Sequence, residues 1–455
     1  MKIRQVLLIY NLLLPFVLLL GLPRYLVKAF RRGGVRKNVA QRFGNYDKAL
    51  VDRWKEDGRD RVWIHAVSVG EVLVGLKVIQ ALLGEDERTL VLSTTTPTGY
   101  RLAVKECPQE VSVIYNPVDL PWVVNGALKR IRPEHLILVE AEVWPNLVYQ
   151  ARSLGVKVSL VNARLSERSE RRFKKFGALT RPIFRMLDCV CVQFERDVPR
   201  WQGLGVERDR IHETGSIKYD ETEQAKPVAQ IAEMQQILQS FGVAPSQPVL
   251  LAGSTHAGEE ALIGRACQTI RETVPDLVYI VVPRHVERTG EVVKDLEEIG
   301  LQPRLRTECE TRSSQRTVDA ETVKPLCLVV NTTGELRAWY HLASVVVVGK
   351  SFLGKGGQNP VEPVMAGKAV IVGPHMENFT AVTNQLLETR GVRRVSGGGG
   401  LSQAIIGVLN DPLEAESMAE RGREALHLHR GAARRAVKVI CKYMVETGAQ
   451  GRAAD

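Results

Sequence analysis

Residues 344–379 read SVVVVGKSFLGKGGQNPVEPVMAGKAVIVGPHMENF. Val345 to Val348 form a β-branched run with no polar break, the pattern of a strand buried on both faces of a parallel sheet. Gly349, Gly354, Gly356 and Gly357 follow, so the backbone can bend tightly and meet a ligand without Cβ atoms in the way. Asn359-Pro360-Val361-Glu362-Pro363 reads as a helix start, with Asn359 as cap and Pro360 at the first helical position. Residues 370–372 supply the next strand, and Gly373-Pro374-His375 the loop after it.

Gly349-Lys350-Ser351 imitates the end of a Walker A phosphate loop. That motif needs a glycine five positions before the one that precedes the lysine, and residue 344 is serine. Two readings of the stretch remain. One is a glycine-rich turn between core strands. The other is a cradle for a nucleotide sugar, in which amides at the helix start favour an anion and Glu362 accepts hydrogen bonds from sugar hydroxyls.

The chain has 455 residues, enough for two or three domains with their own cores. A formal charge of +11 and a pI near 9.3 favour anionic partners: phosphates, or an anionic membrane surface. Aromatic residues make up 6% and do not interleave with a basic stripe, which argues against nucleic acid. The seven cysteines show no CxxC and no pairing rhythm, so free thiols in a reducing compartment are expected, and no zinc site.

Between residues 6 and 22 the only plainly polar side chain is Asn11. As a helix this run is about 26 Å long, just short of a ~30 Å hydrocarbon core. Arg24, Lys28, Arg31 and Arg32 follow, where a cleaved signal peptide would show small residues. Their excess over Lys2 and Arg4 is expected to keep the bulk of the chain on the cytoplasmic side of a membrane. Residues 1–32 are therefore expected to be a membrane anchor, a hydrophobic helix ahead of the folded units.

Residues 33–220 read as a first doubly wound unit. Strands are expected at 62–67, 89–93, 111–115, 136–139 and 156–161, each running into a polar loop. The strand–helix alternation implies a parallel sheet with ligands beyond the strands' carboxyl ends. Helical spacing from residue 72 places Val72, Leu73, Leu76, Ile79 and Leu83 on one apolar face. Glu71 stands at the mouth of the first strand-to-helix junction. It is either a first-turn carboxylate complementing the helix dipole or a reactive one, and spacing alone does not choose. Ala66-Val67-Ser68-Val69-Gly70 also imitates a hydrolase nucleophile elbow. A triad through Ser68 would need His256, His285 or His375, all in the other half of the chain. Residues 167–185 combine basic residues with Phe173, Phe176 and Phe184, either a solvated helical face or a lipid-facing surface.

Residues 221–247 are polar and proline-bounded and read as a linker. A second doubly wound unit follows at 248–430, with a helix and frayed tail at 431–455. Its strands end in Gly253-Ser254-Thr255-His256, in Pro283-Arg284-His285 and in the stretch quoted above. Arg284 either holds a phosphate or caps a sheet edge. No DxD pair stands at a strand end, so no metal is expected in the active site, and no cofactor.

The segments WIHAVSVGEV, STTTPTGYRLA, VEAEVWPNLV, NARLSERS, GSIKYD, STHAGEE, VPRHVER and GGQNPVEP with GPHMENF occur in this order along the chain. Together they closely resemble the 3-deoxy-D-manno-oct-2-ulosonic acid (Kdo) transferases of lipopolysaccharide biosynthesis over essentially the whole sequence. The resemblance implies an α/β chain of GT-B glycosyltransferase architecture, with two facing Rossmann-like domains. It implies CMP-Kdo as donor and lipid IVA as acceptor, with Glu71 as general base of a single inverting displacement. Arg284 matches the phosphate-binding position beside His285, and Glu362 the carboxylate that grips the ribose. Ser254, Gly356, Gly357, Asn359 and Lys218 would complete the donor site, with Glu142 a further candidate for holding the sugar. Members more often have histidine where this chain has Gln358, which leaves a hydrogen-bonding group there without an ionisable one. Another GT-B transferase with a different nucleotide sugar, or a catalytically silent membrane adaptor, are the alternatives.

Overall fold

The computed structural model describes residues 1–16, 39–85, 88–220, 227–308 and 326–451. They divide into two compact units: Met1–Glu221 together with Leu428–Asp455, and Thr222–His427. Each is built on a seven-stranded sheet whose neighbouring strands are all parallel.

The first sheet contains β1 (Arg61–His65), β2 (Thr89–Thr94), β3 (Ser112–Tyr115), β4 (His135–Val139), β5 (Lys157–Ala163), β6 (Cys189–Val192) and β7 (Ile211–Glu213). Their order is β3-β2-β1-β4-β5-β6-β7. The second contains β8 (Val249–Thr255), β9 (Val278–Pro283), β10 (Pro303–Leu305), β11 (Cys327–Val329), β12 (Val345–Val348), β13 (Ala369–Val372) and β14 (Arg393–Arg394), ordered β10-β11-β9-β8-β12-β13-β14. Central strands are buried along their whole length, which is why they read as unbroken apolar runs. The edge strands β10 and β14 were not anticipated. They are short and carry Arg304, Arg393 and Arg394, a composition that discourages edge-to-edge pairing with another chain.

The helix after β1, Val69–Leu83, buries Val72, Val74, Gly75, Val78, Ile79 and Leu82. Leu73 and Leu83, expected on that face, are 49% and 36% exposed. At about 100° per residue, Leu73 has already turned past the edge of the buried stripe that contains Val72.

The chain's last helix, Ala432–Gly451, is not a separate appendage. Ala432, Ala433, Ala436, Val437, Ile440 and Met444 enter the core formed by β1, β4 and the helix Val69–Leu83. The Asp220 carboxylate fastens its start by accepting from the main-chain N–H of Gly431 at 2.8 Å and of Ala433 at 2.7 Å. The second unit accordingly ends at His427. Within the stretch expected as linker, Val228–Ser240 is a helix of the second unit, and Glu233 pairs with the buried Arg306 at 2.7 Å.

Residues 3–16 are helical. Val6, Leu7 and Leu14 are buried, and Asn11 exchanges side-chain hydrogen bonds with Asn146 at 3.1 and 2.7 Å. Asp119 accepts from the main-chain N–H of Asn146 at 3.1 Å and of Leu147 at 2.8 Å, capping the helix Pro145–Ser153, and burial pushes its carboxyl up to about 7. The rest of the expected anchor, residues 17–32, lies outside the described residues. Among those described, no helix is long and apolar enough to cross a membrane. The basic stretch forms two short helices, Glu167–Lys175 and Gly177–Phe184. Phe173 and Phe184 stack edge-to-face beneath them, and Phe176 is 51% exposed.

Candidate active site

In the first unit the strand order reverses between β1 and β4, where a doubly wound sheet opens a crevice at its carboxyl edge. Glu71 follows β1. Its buried carboxylate accepts from the main-chain N–H of Val67 and from the hydroxyl of Ser68, both at 2.8 Å. Ser68 in turn caps the helix by accepting from the Glu71 N–H at 3.4 Å. Glu71 is thus a first-turn carboxylate, one of the two roles the spacing left open, and reaches back past the N-cap Ser68 to the Val67 N–H. The same bonds fix the carboxylate at the crevice mouth. Ser68 donates to a carboxylate and has no imidazole partner among the described residues. The nearby His65 faces Ser93 through Nδ1 at 3.0 Å, and burial lowers it to about 4.

Glu140 and Glu142 follow β4. Burial, then the charge of Glu71, push Glu140 up, while Arg164 and Lys218 pull it back. Burial, then Glu71 and Glu140, push Glu142 up to about 7. Glu140 also holds a left-handed backbone, φ 62°. Non-glycine residues rarely adopt that conformation without being over-determined by their surroundings. The N–H of Glu140 donates to the carbonyl of Val161 at 2.9 Å. Asn162 Oδ1 accepts from Gln193 at 3.1 Å and from the main-chain N–H of Ile217 at 3.0 Å. Lys77, on the Glu71 helix, donates to the carbonyls of Lys218 at 3.1 Å and Asp220 at 2.6 Å. The loops carrying Glu71, Glu140, Arg164 and Lys218 are therefore bonded into one frame. Lys218, expected to help hold the donor's sugar, lies in this frame of the first unit, while Arg284 lies in the second unit.

Thr95 Oγ1 and Trp144 Nε1, in the loops after β2 and β4, and Asn162 Nδ2, near the end of β5, are buried and have no hydrogen-bond partner among the described residues. Polar atoms left unmatched there suit a hydroxyl-rich ligand or ordered water. No three His, Cys, Asp or Glu side chains among the described residues converge closely enough to hold a metal ion.

In the second unit the order reverses between β8 and β12, paired in register with Val348 opposite Gly253. Ser254 is the penultimate residue of β8, where the pairing with β9 shifts register between Gly253 and Thr255, and it holds φ 56°. The His256 and His285 rings meet edge-to-face, 5.9 Å between centroids. The N–H of Arg284 donates to the Thr255 carbonyl at 3.0 Å, and its exposed guanidinium makes no ion pair among the described residues. The loop after β12 carries Gly356 and Gly357 at φ 118° and 68°. A Cβ on either would collide, with Asn378 at 2.6 Å or with Met376 at 2.5 Å.

The helix beyond is short, Val361–Met365, and starts one residue later than expected. Pro360, expected as the first helical residue, is its N-cap, and Asn359 stands one residue outside, where it accepts from the Val361 N–H at 3.1 Å. Its amide donates to Glu362 Oε1 at 2.9 Å, which orients that half-buried carboxylate. Gln358 is half-buried and its main-chain N–H donates to the Gly349 carbonyl at 3.1 Å. Ser254, Arg284, His285, Gly356, Gly357, Asn359 and Glu362 thus all lie at the carboxyl edge of one sheet. Sequence reasoning passed over Glu140, Arg164 and Asn162. The signal for the first was two carboxylates bracketing one residue straight after a strand.

A family model described as 3-deoxy-D-manno-octulosonic-acid transferase (kdotransferase) matches residues 37–221. The 3-deoxy-D-manno-octulosonic acid transferase of Haemophilus influenzae is 29% identical over 437 residues, 95% of this chain and 96% of the relative. That of Bordetella pertussis is 32% identical over 390 residues, 83% of this chain and 86% of the relative. The chain belongs to the 3-deoxy-D-manno-octulosonic acid (Kdo) transferase family. Its activity class is glycosyl transfer. A solved structure of Acinetobacter baumannii MurG, 14% identical, superposes with a TM-score of 0.54 over 84% of this chain and 99% of that one. That likeness concerns the fold alone, and agrees with the GT-B class for this Kdo-transferase chain.

Proposed function

We propose that this Kdo transferase moves Kdo from CMP-Kdo to the primary hydroxyl of lipid IVA, with Glu71 as general base. The observation that carries the reading is the fixed carboxylate of Glu71 at the β1/β4 crevice, held by Val67 and Ser68 and flanked by Glu140 and Glu142. The acceptor hydroxyl oxygen attacks the anomeric carbon of Kdo while Glu71 takes its proton. The bond from that carbon to the CMP phosphate oxygen breaks, its electron pair leaves with CMP, and the anomeric configuration inverts. A positioned base of this kind supplies roughly 10²–10⁴-fold.

The second unit is assigned the donor. Arg284 neutralises charge building on the departing phosphate. Glu362, oriented by Asn359, accepts from the ribose hydroxyls. Gly356 and Gly357 allow main chain to approach the nucleotide.

The reaction is assigned to the cytoplasmic face of the inner membrane. Supporting this, the helix at residues 3–16 presents Leu8, Leu12, Leu13 and Phe16 to solvent, each more than half exposed, opposite its packed face. An apolar stripe of that kind suits the interface of an anionic bilayer.

Incubating the protein with CMP-Kdo and lipid IVA, then counting Kdo mass increments on the lipid, tests the assignment and gives the number of units added. Calorimetry with CMP, CDP, UDP and GDP separates the rivals. Preference for another nucleotide would mean a different donor, and no nucleotide binding would mean an adaptor.

A further inference from the structure

Two neighbouring glutamates open the helix that follows β8, Glu259–Arg271, and both are fully buried. Glu260 has an ordinary structural explanation: it accepts from Thr255 at 2.9 Å and pairs with Arg288 at 3.0 Å. Glu259 has no cation within ion-pair distance among the described residues. Its carboxylate instead accepts three main-chain N–H bonds. Oε2 takes those of His256 at 3.0 Å and Lys350 at 2.5 Å, and Oε1 takes that of Phe352 at 3.0 Å. Burying a carboxylate costs several kcal/mol unless it is fully hydrogen-bonded, so its amide partners are what make this position tenable. The amino end of its own helix adds a favourable dipole.

Those amides belong to the two loops that meet at the β8/β12 reversal. Both loops are conformationally demanding. Ser254 and Lys350 hold left-handed backbones at φ 56° and 55°. Gly349 runs so close to the other loop that a Cβ would lie 2.3 Å from the Ser254 carbonyl oxygen. The glycine loop closes on itself, with the Gly357 N–H donating to the Lys350 carbonyl at 3.0 Å. At its far end the Gly356 N–H donates to the exposed Glu377 at 2.6 Å. One buried carboxylate therefore sets the start of the loop, and one solvent-facing carboxylate holds its end.

We propose that Glu259 is the positioning residue of the donor pocket: without touching substrate, it pins the amides of Lys350 and Phe352 to the Ser254–His256 loop and so preforms the glycine loop for the nucleotide. This rests on the reading that the second unit takes cytidine monophosphate.

The test compares full-length wild type with Glu259→Gln, with Glu298→Gln, at the exposed end of the helix Thr289–Glu298, as control. A glutamine offers one acceptor oxygen and turns its NH₂ toward one of the N–H donors. CMP affinity by calorimetry, and the KM for CMP-Kdo, should worsen roughly 10–100-fold, the worth of losing a hydrogen bond to a charged group. Amide hydrogen exchange of residues 350–352 in the ligand-free protein should rise, and saturating CMP should restore protection. Glu298→Gln removes a carboxylate that bonds to neither loop and should change CMP affinity by less than about threefold. If Glu259→Gln does not fold, Glu259→Asp serves, since it keeps the charge but shortens the reach, and its loss should be intermediate. A variant that melts earlier yet keeps wild-type CMP affinity and wild-type exchange at 350–352 overturns the proposal. Wild-type protein that binds no CMP overturns the donor assignment instead, while the ligand-free exchange comparison still judges Glu259.

Discussion

The hydroxyl of Ser68 donates to the carboxylate of Glu71 at 2.8 Å, across the first turn of the helix Val69–Leu83. The bond serves both helix and chemistry, because the same serine caps the helix and aims the proposed base. Ser68→Ala removes the cap and one of the two bonds holding the carboxylate. Stability should fall by about 0.5–2 kcal/mol in urea unfolding. Turnover should fall less than when the carboxylate itself is lost, since Val67 still donates to Oε2. Turnover loss equal to that of removing Glu71 would mean the serine takes part in the chemistry.

Glu142 gives the first unit a pH dependence. Its folded value, about 7, lies above the ordinary carboxylate value. The folded state therefore holds a proton that the unfolded chain has released, and stability falls as pH rises from about 4.5 through 7. Glu142→Gln, neutral at every pH, should flatten that slope. It should melt higher than wild type at pH 8, by on the order of 1–3 kcal/mol, and alike at pH 4. Thermal melts across that range decide it, and parallel curves would place Glu142 away from the other two carboxylates.

Arg284 and Glu362 are assigned different parts of one nucleotide. Arg284→Ala should weaken CMP roughly 10–100-fold and leave cytidine unchanged, because only CMP carries the phosphate. Glu362→Ala should weaken both. Calorimetry with the two ligands reads the difference, and equal losses of CMP and cytidine for Arg284→Ala would remove it from the phosphate.

The exposed face of residues 3–16 is separable from its packed face. Replacing Leu8, Leu12 and Phe16 together by glutamine should lower co-sedimentation with anionic vesicles and leave the melting temperature unchanged, since Val6, Leu7, Leu14 and Asn11 keep the helix docked. Undiminished vesicle binding would move the contact to residues 167–185 or to the segment after residue 16.

What the sequence made legible follows the range of the interactions involved. Val345–Val348 could be read because a strand buried on both faces needs an apolar residue at every position. Glu71, Arg284 and Glu362 could be placed because strand-to-helix junctions are local. β10 and β14 escaped notice because two or three residues with no apolar run become a strand only through a neighbour. The last helix could not be assigned to the first unit, since an amphipathic pattern says that a face is covered and not by which sheet. Glu259 was invisible as a positioning group for the same reason: two of its three donors lie 91 and 93 residues away.

The central claim is that Glu71 removes the acceptor proton. Glu71→Gln preserves the size of the side chain and an oxygen for Val67 or Ser68, but no longer takes a proton. Turnover of CMP-Kdo with lipid IVA, measured beside CMP affinity on the same preparation, should drop roughly 10²–10⁴-fold with affinity unchanged. Turnover within a few-fold of wild type would reduce Glu71 to a helix cap and contradict the account.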